Sequence, residues 1–432
     1  MSRFQWLMVI LCFILNFNDG IDVLLVSFSS TEIIADWGLS KLQMGYIFSA
    51  GLAGMTLGAL LIAPLADKIG RRKVFLLAVG LIVIGMLGVG FCYNFPLMLL
   101  LRLITGLGIG GILPTMAATA AEFSNDKYRD FNVGLVQAGW PIGAILTGLL
   151  AAKYIPVYGW HAAFIVAGVI ALVMWLLVAF FMTDSLEFIL HSDQPNALEE
   201  INNLLQKMKM AAVESLPPVH KKAESLGINA LFTEVYKFDT LKMWIAAFFG
   251  FLTLYTLMSW VPTIAKEEGL PFELATYVGI MLNIGAAVGS ASIGAIGSKF
   301  GLRQAILTFM ITAFALMQVY AFSMLTTSSI FILVFLIGIF VQGGFNGIWP
   351  TLSRIYETKI RTTGVGFTVS IGRLGAILGP FLFGYLSDIG VSIKSLFVIF
   401  SIPLILMGVF IWRLKSDKLT PSASSLPKES AL

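Results

Sequence analysis

The chain is 432 residues long, 58% of them hydrophobic and only 12% charged, and its mean hydropathy is +0.89. A soluble protein of ordinary composition has about 25% charged residues, so there are too few polar side chains here to clothe a set of water-borne domains. Disorder, nucleic-acid binding and a secreted disulfide scaffold are excluded on the same ground; the natural solvent is a lipid bilayer.

A helix needs about 20 mainly apolar residues to cross a hydrocarbon core about 30 Å thick. Six such runs come first, near 5–29, 43–65, 74–93, 96–120, 132–152 and 161–182. The first follows Arg3 and imitates a secretion signal. It continues into Asn16, Asn18, Asp19 and Asp22 with no small-residue cleavage site, so it is read as a retained span. A polar stretch from Thr183 to about Thr240 follows, with Pro217 and Pro218 in it. Inside it Ile201, Leu204, Leu205 and Met208 recur at a helical period. They predict an amphipathic helix on the inner membrane surface, linking two halves. Six further runs lie near 242–263, 275–297, 304–324, 329–353, 363–386 and 393–413. The expected fold is all-α: twelve transmembrane helices in two pseudo-symmetric six-helix bundles, 1–182 and 242–413, joined by a cytoplasmic linker, 183–241. A flexible cytoplasmic tail, 414–432, rich in Ser and Pro, ends the chain. Cys12 and Cys92 lie in apolar runs and read as free, small hydrophobes.

The net charge of +4 says little as a total, but its distribution orients the chain. With both termini in the cytoplasm, the outer loops hold only Lys41, Lys153, Lys266 and Lys394, while Arg102 and Arg373 fall inside spans. The remaining 22 of the 28 Lys and Arg residues are then on the inner side. This positive-inside bias predicts a multi-pass protein of the cell's inner membrane with cytoplasmic termini.

The halves also repeat one another. Asp67-Lys68-Ile69-Gly70-Arg71-Arg72 is echoed by Ser298-Lys299-Phe300-Gly301-Leu302-Arg303, 231 residues on, and Gly143-Ala144-Ile145-Leu146 by Gly375-Ala376-Ile377-Leu378, 232 residues on. Two related six-helix halves suit an alternating-access transporter, with its solute near the midplane. Gly54/Gly58, Gly106/Gly110, Gly139/Gly143, Gly285/Gly289 and Gly375/Gly379 are small-xxx-small pairs that let helix backbones approach closely. The glycine-rich run Gly106–Gly111 lies mid-span with no strand before it and is not read as a nucleotide loop.

The segment Ala63-Pro64-Leu65-Ala66-Asp67-Lys68-Ile69-Gly70-Arg71-Arg72 resembles the loop signature G-x-x-x-D-[RK]-x-G-[RK]-[RK] of the major facilitator superfamily, with Ala63 in place of the first glycine. Arg102 with Gly106 and Gly108 resembles that superfamily's fourth-helix motif. A narrower likeness begins at Asp19-Gly20-Ile21-Asp22, which resembles the first-helix D-G-x-D motif of the aromatic acid:H⁺ symporter family. It runs through Trp37-Gly38-Leu39-Ser40, Asp184-Ser185-Leu186-Glu187-Phe188 and Ser259-Trp260-Val261-Pro262-Thr263 to Gly379-Pro380, nearly the whole chain. The resemblance implies import of benzoate-type carboxylates together with protons.

Charges inside a span are costly and mark pathways or proton relays. Asp19 lies 13 residues past Trp6, about 20 Å along the helix, and Asp22 shares its face. Arg102 enters from the opposite side seven residues past Phe95, which brings it to about the same level. Two neighbouring carboxylates in low dielectric resist ionising together. Asp19 and Asp22 are therefore expected to carry the coupling proton, with Arg102 as the switchable counter-charge; the alternative is a static ion cluster. Arg373 lies ten residues past Thr363, near the midplane. Its planar, always-charged fork suits a substrate carboxylate; the alternative is an internal pair with a first-helix aspartate.

Trp140, Tyr255, Trp260, Asn283, Gln342, Asn346 and Trp349 are candidates to complete an aromatic-acid pocket, although the aromatics also suit lipid-facing packing and the amides interhelical hydrogen bonds. By the superfamily resemblance, Asp67, Arg71, Arg72, Glu122, Arg129, Glu357 and Arg361 form a cytoplasmic gate. His161, His191 and His220 are scattered, and no metal-ligand spacing or nucleophile–base set is found. The expectation is a transporter, not an enzyme, working as a monomer with no metal or organic cofactor and the proton as coupling ion. Its partners are an organic acid, H⁺ and the bilayer, not nucleic acid. Transport of another solute (a sugar, a nicotinate-like acid or a drug) and a non-transporting receptor for aromatic acids are the alternatives.

Overall fold

Glycines set the turns of this chain, and they do so twice over. The computed structural model describes residues 1–191, 196–216 and 228–414. Six glycines in it take a positive φ: Gly38 (60°), Gly70 (98°), Gly159 (77°), Gly269 (94°), Gly301 (89°) and Gly390 (91°). They fall into three pairs, Gly38/Gly269, Gly70/Gly301 and Gly159/Gly390, each 231 residues apart. A residue without Cβ enters this region at no steric cost, so the internal repeat is built into the backbone as well as the side chains. No strand occurs among the described residues.

The chain clusters into two compact units: Met1–Leu39 with Tyr46–Lys222, and Ser40–Gly45 with Ala223–Leu432. The first holds α1 (Arg3–Trp37), most of α2 (Lys41–Leu61), the single turn α3 (Ala66–Ile69), α4 (Arg71–Gly90), α5 (Phe95–Glu122), α6 (Arg129–Phe181), α7 (Leu186–His191) and α8 (Ala197–Met208). Ser2 opens α1 with a capping box closed by Gln5. Asn94 caps α5 through the N–H of Leu97, with Pro96 in the first turn. At 53 residues α6 would extend about 80 Å if straight, far more than a bilayer. The non-helical backbone of Gly159 divides it into two arms, each long enough to span. Where the sequence suggests a loop between the fifth and sixth spans, there is one glycine joint.

The second unit holds α9 (Lys237–Glu267), α10 (Phe272–Phe300), α11 (Leu302–Phe322), α12 (Thr327–Asn346), α13 (Ile348–Ile355), α14 (Thr358–Asp388) and α15 (Ile393–Trp412). The opening of α2 packs here: Asp388 accepts the N–H of Lys41 (2.9 Å) and of Leu42 (3.1 Å), satisfying two of the free donors at a helix start. Lys41 also pairs with Glu267 at 2.7 Å. Eleven helices of the described residues are long and apolar enough to cross a membrane; with α6 counted as two arms they supply twelve spans.

Every small-xxx-small pair sits at a helix crossing. A Cβ on Gly54 or Gly58 would run into the α5 backbone at Leu103 or Leu107, and on Gly139 or Gly143 into the α1 backbone at Phe13 or Phe17. In the second unit Gly285 and Gly289 meet the α12 backbone at Phe335 and Ile339, and Gly375 and Gly379 meet α9 at Phe248 and Leu252. In lipid, where burial from water does not drive helices together, such backbone contact supplies the dispersion that does.

The apolar face of the amphipathic helix α8 is covered by protein. Ile201, Leu204, Leu205 and Met208 are 4–7% exposed, packed against the first unit at α1 and α7, and Lys207 stands 5.7 Å over the Phe4 ring. The stripe that reads as membrane-seeking is satisfied by protein. Pro217, Pro218 and the tail from 415 onward lie outside the described residues.

Candidate functional site

In the first unit α1 and α5 bring one carboxylate and one guanidinium into register. Arg102 donates from Nη1 to Asp22 Oδ1 at 2.7 Å and from Nη2 to Asp22 Oδ2 at 3.2 Å. This fork-to-fork pair is almost wholly enclosed, with 6% and 0% of the two side chains exposed. Asp19, one turn earlier on α1, is 1% exposed. Two charges out of water are tolerable in such a place because they are paired and bidentate.

Room for the guanidinium comes from α2. A Cβ on Gly51 would lie 3.2 Å from Arg102 Nη2. Gly51 belongs to the Phe48-Ser49-Ala50-Gly51 stretch of the family likeness, but nothing local in the sequence sets it opposite a charge on another helix. Gly51→Ala is expected to displace the arginine head and to cost about 1–3 kcal/mol as overpacking. The check is a lowered thermal midpoint together with reduced uptake; full stability and full uptake would show that the clearance is immaterial.

In the second unit Arg373 sits on α14, partly buried, beside Gly372, which packs on the Phe251 ring, and Gly375, which packs on the α9 backbone. Its Nε is buried with no partner, and no hydrogen bond or ion pair to Arg373 occurs among the described residues. Of the two first-helix aspartates, Asp22 is engaged by Arg102 within its own unit. The amides form a short chain, Gln342 Nε2 to Asn346 Oδ1 at 3.2 Å and Asn346 Nδ2 to Ser290 Oγ at 2.7 Å. Asn283 donates to the Gly279 carbonyl at 2.9 Å. Asn283 Oδ1 and Gln342 Oε1 are buried acceptors without a donor among the described residues, and both residues line a cavity of about 10 Å³.

The aromatic candidates divide. Tyr255 stacks parallel on Phe251 at 5.8 Å. Trp349 is 40% exposed and meets Phe345 edge-on at 6.4 Å. Trp140 is partly exposed, its carbonyl facing Gly20 across the α1–α6 crossing. Trp260 is a different case: it is fully buried, donates to the Pro380 carbonyl at 3.1 Å and stacks on Phe383 at 5.0 Å. It braces α9 against α14.

The gate candidates lie at helix ends. Arg71 bridges Glu122 at 2.7 Å and Asp67 at 3.6 Å. Asp67 lies near the C-terminal end of the span Lys41–Ile69, in the turn α3 that follows α2 and a short 3-10 turn holding Pro64. Arg72 donates its backbone N–H to Asp184 at 2.9 Å and its side chain to the Ala179 carbonyl at 2.7 Å. Arg129 pairs with Asp126 at 3.2 Å in an exposed position. Arg361 donates to the Tyr356 carbonyl at 3.3 Å. Burial, then the hydrogen bond to Glu357, raises the Tyr236 phenol above its usual range. Among the described residues no group of three or more His, Cys, Asp or Glu side chains is placed to hold a metal ion.

A sequence model described as Major Facilitator Superfamily matches residues 8–353 and 243–431. The chain belongs to this superfamily. It is 31% identical over 409 residues to the gallate transporter of Pseudomonas putida, covering 93% of this chain and 90% of that one. It is 30% identical over 393 residues to the 4-hydroxybenzoate transporter of Acinetobacter baylyi, covering 88% and 85%. The 3-(3-hydroxy-phenyl)propionate transporter of Escherichia coli is 29% identical over 418 residues, 96% of each. The fold matches the crystal structure of the D-xylose–proton symporter with a TM-score of 0.73, at 17% identity over 96% of this chain and 99% of that one. These likenesses make the chain a multi-pass membrane transporter of the major facilitator superfamily, and not an enzyme.

Proposed function

We propose that this major facilitator protein is a symporter that imports aromatic or related organic acids together with protons, by alternating access of its two halves. Arg373 carries the reading. A permanently charged guanidinium inside a span, with its Nε buried and unpaired among the described residues, needs an anion to meet it. The relatives' named substrates (gallate, 4-hydroxybenzoate and 3-(3-hydroxy-phenyl)propionate) all offer a carboxylate on an aromatic frame. A bidentate contact to Arg373 fixes the acid group, and the amides Gln342, Asn346 and Asn283 are suited to ring hydroxyls.

Asp19 and Asp22 serve proton coupling, with Arg102 as the counter-charge. The proton is the coupling ion, and no metal or organic cofactor takes part. One proton moving with one monocarboxylate carries no net charge, so the pH gradient drives uptake and the membrane potential, worth about 2.3 kcal/mol per charge per 100 mV, contributes nothing. The protein sits in the inner membrane with both termini cytoplasmic and works as a monomer; Asp67, Arg71, Arg72, Glu122, Arg129, Glu357 and Arg361 close its cytoplasmic side.

The test is uptake of labelled 4-hydroxybenzoate into proteoliposomes with an imposed inward-acid gradient. Saturable uptake competed by gallate and benzoate, and not by xylose, is expected. Accumulation of xylose or nicotinate with no uptake of benzoates would overturn the substrate class. Specific binding without translocation would turn the reading toward a receptor.

A further inference from the structure

The first unit contains a groove that the transport reading does not use. Its volume is about 520 Å³, within the ~300–1,000 Å³ typical of small-molecule sites. The floor is the α1 stripe Phe17, Ile21 and Leu25, and the walls are the two arms of α6 on either side of Gly159. The groove exists because side chains are missing. Backbones touch at Gly143, where a Cβ would strike Phe17, and beyond that crossing the facing positions are small, as at Ala151, Ala162, Ala163 and Ala167.

Its chemistry excludes the proposed substrate. The lining is apolar apart from Thr147, whose hydroxyl is spent on the Gly143 carbonyl at 2.7 Å, and the two tyrosines at one end. A carboxylate has no partner there, and a water needs two to four polar partners that the walls do not offer. The floor lies on the back of α1. At 100° per residue the stripe is turned away from Asp19 by nearly half a turn.

Its dimensions fit a lipid tail. From Leu146 to Tyr158 the wall runs 12 residues, about 18 Å of helix, against about 15 Å for one leaflet of a 30 Å hydrocarbon core. Tyr154 and Tyr158, 43% and 68% exposed, stand at the Gly159 end, where amphipathic rings mark the headgroup level. Beside them Lys153 is exposed, its ammonium 5.4 Å from the Tyr154 ring centroid. An apolar slot one leaflet deep, with a cation at its interfacial mouth, is complementary to a phosphate-bearing lipid.

We propose that this groove holds one acyl chain of a membrane phospholipid whose phosphate meets Lys153. In the orientation proposed above, the lipid belongs to the outer leaflet.

The test uses the full chain reconstituted with phosphatidylglycerol carrying a photoactivatable diazirine in one acyl chain, with adducts mapped by mass spectrometry. Adducts are expected at Leu150, Ala163 and Val166 in several-fold excess over Val173 and Leu176, which are also exposed on α6 but do not line the groove. Ala163→Trp fills the slot and should bring labelling down to that background. Lys153→Gln, at an exposed position that leaves folding intact, should lower it about five-fold. A diacylglycerol diazirine, which lacks the phosphate, should label weakly and equally in wild type and in Lys153→Gln. Uniform labelling of all exposed α6 positions, or crosslinks to a second copy of the chain in place of lipid, would overturn the proposal. Labelling lost in Ala163→Trp but unchanged in Lys153→Gln would overturn the phosphate contact.

Discussion

Arg373→Ala is expected to raise the KM for aromatic carboxylates at least about ten-fold while leaving the thermal midpoint unchanged or higher. The first effect follows from losing hydrogen bonds to a charged group, about 1.5–3 kcal/mol each, at 1.4 kcal/mol per ten-fold change in affinity. The second follows from the side chain itself. Arg373 has no protein partner among the described residues and its Nε is buried, so its removal relieves an uncompensated charge instead of breaking a pair. A residue that held helices together would behave in the opposite way, with stability falling and affinity held. Arg373→Lys keeps the charge and loses the planar fork. It should fall between wild type and alanine in affinity, and an unchanged KM would rule out a bidentate carboxylate contact.

Asp22→Asn is expected to have the largest effect on stability in the first unit, about 3–5 kcal/mol, because it leaves the Arg102 guanidinium buried without its anion. Arg102→Gln should cost a similar amount, and the double variant less than the sum, since neither charge is then stranded. A double-mutant cycle on thermal midpoints in detergent measures this directly; additive effects would mean that the two residues do not act as a pair. Asp19 does not form the Arg102 fork, and Asp19→Asn is expected to destabilise much less. The two variants thus separate the contribution of each aspartate to stability from the proton-coupling role proposed for both.

Much of this was legible in the residues. Helix count, the two halves and the close helix crossings follow from apolar run lengths, an offset of 231–232 and glycines four apart, and these features act locally or by simple repetition. The shared level of Asp22 and Arg102 was legible too, because helix rise converts residue number into depth. What could not be read depends on neighbours distant in sequence. Gly51 matters only because Arg102 of another helix comes to it. Trp260 gives its indole N–H to Pro380, 120 residues away, a contact no local pattern carries. The apolar stripe of α8 has the same pattern whether it meets lipid or protein, and the periodicity carries no information on which. The 231-residue spacing of the positive-φ glycines was present in the sequence, yet unrecognisable among 42 glycines without the backbone angles.

Proton coupling through Asp19 is the central claim, and one comparison tests it most directly. Proteoliposomes containing wild type or Asp19→Asn are measured for gradient-driven accumulation of 4-hydroxybenzoate and for exchange of internal against external substrate at equal pH. The account predicts that Asp19→Asn retains exchange and loses accumulation, since the carrier still turns over but no longer moves a proton. Accumulation persisting in Asp19→Asn at the wild-type level would contradict it.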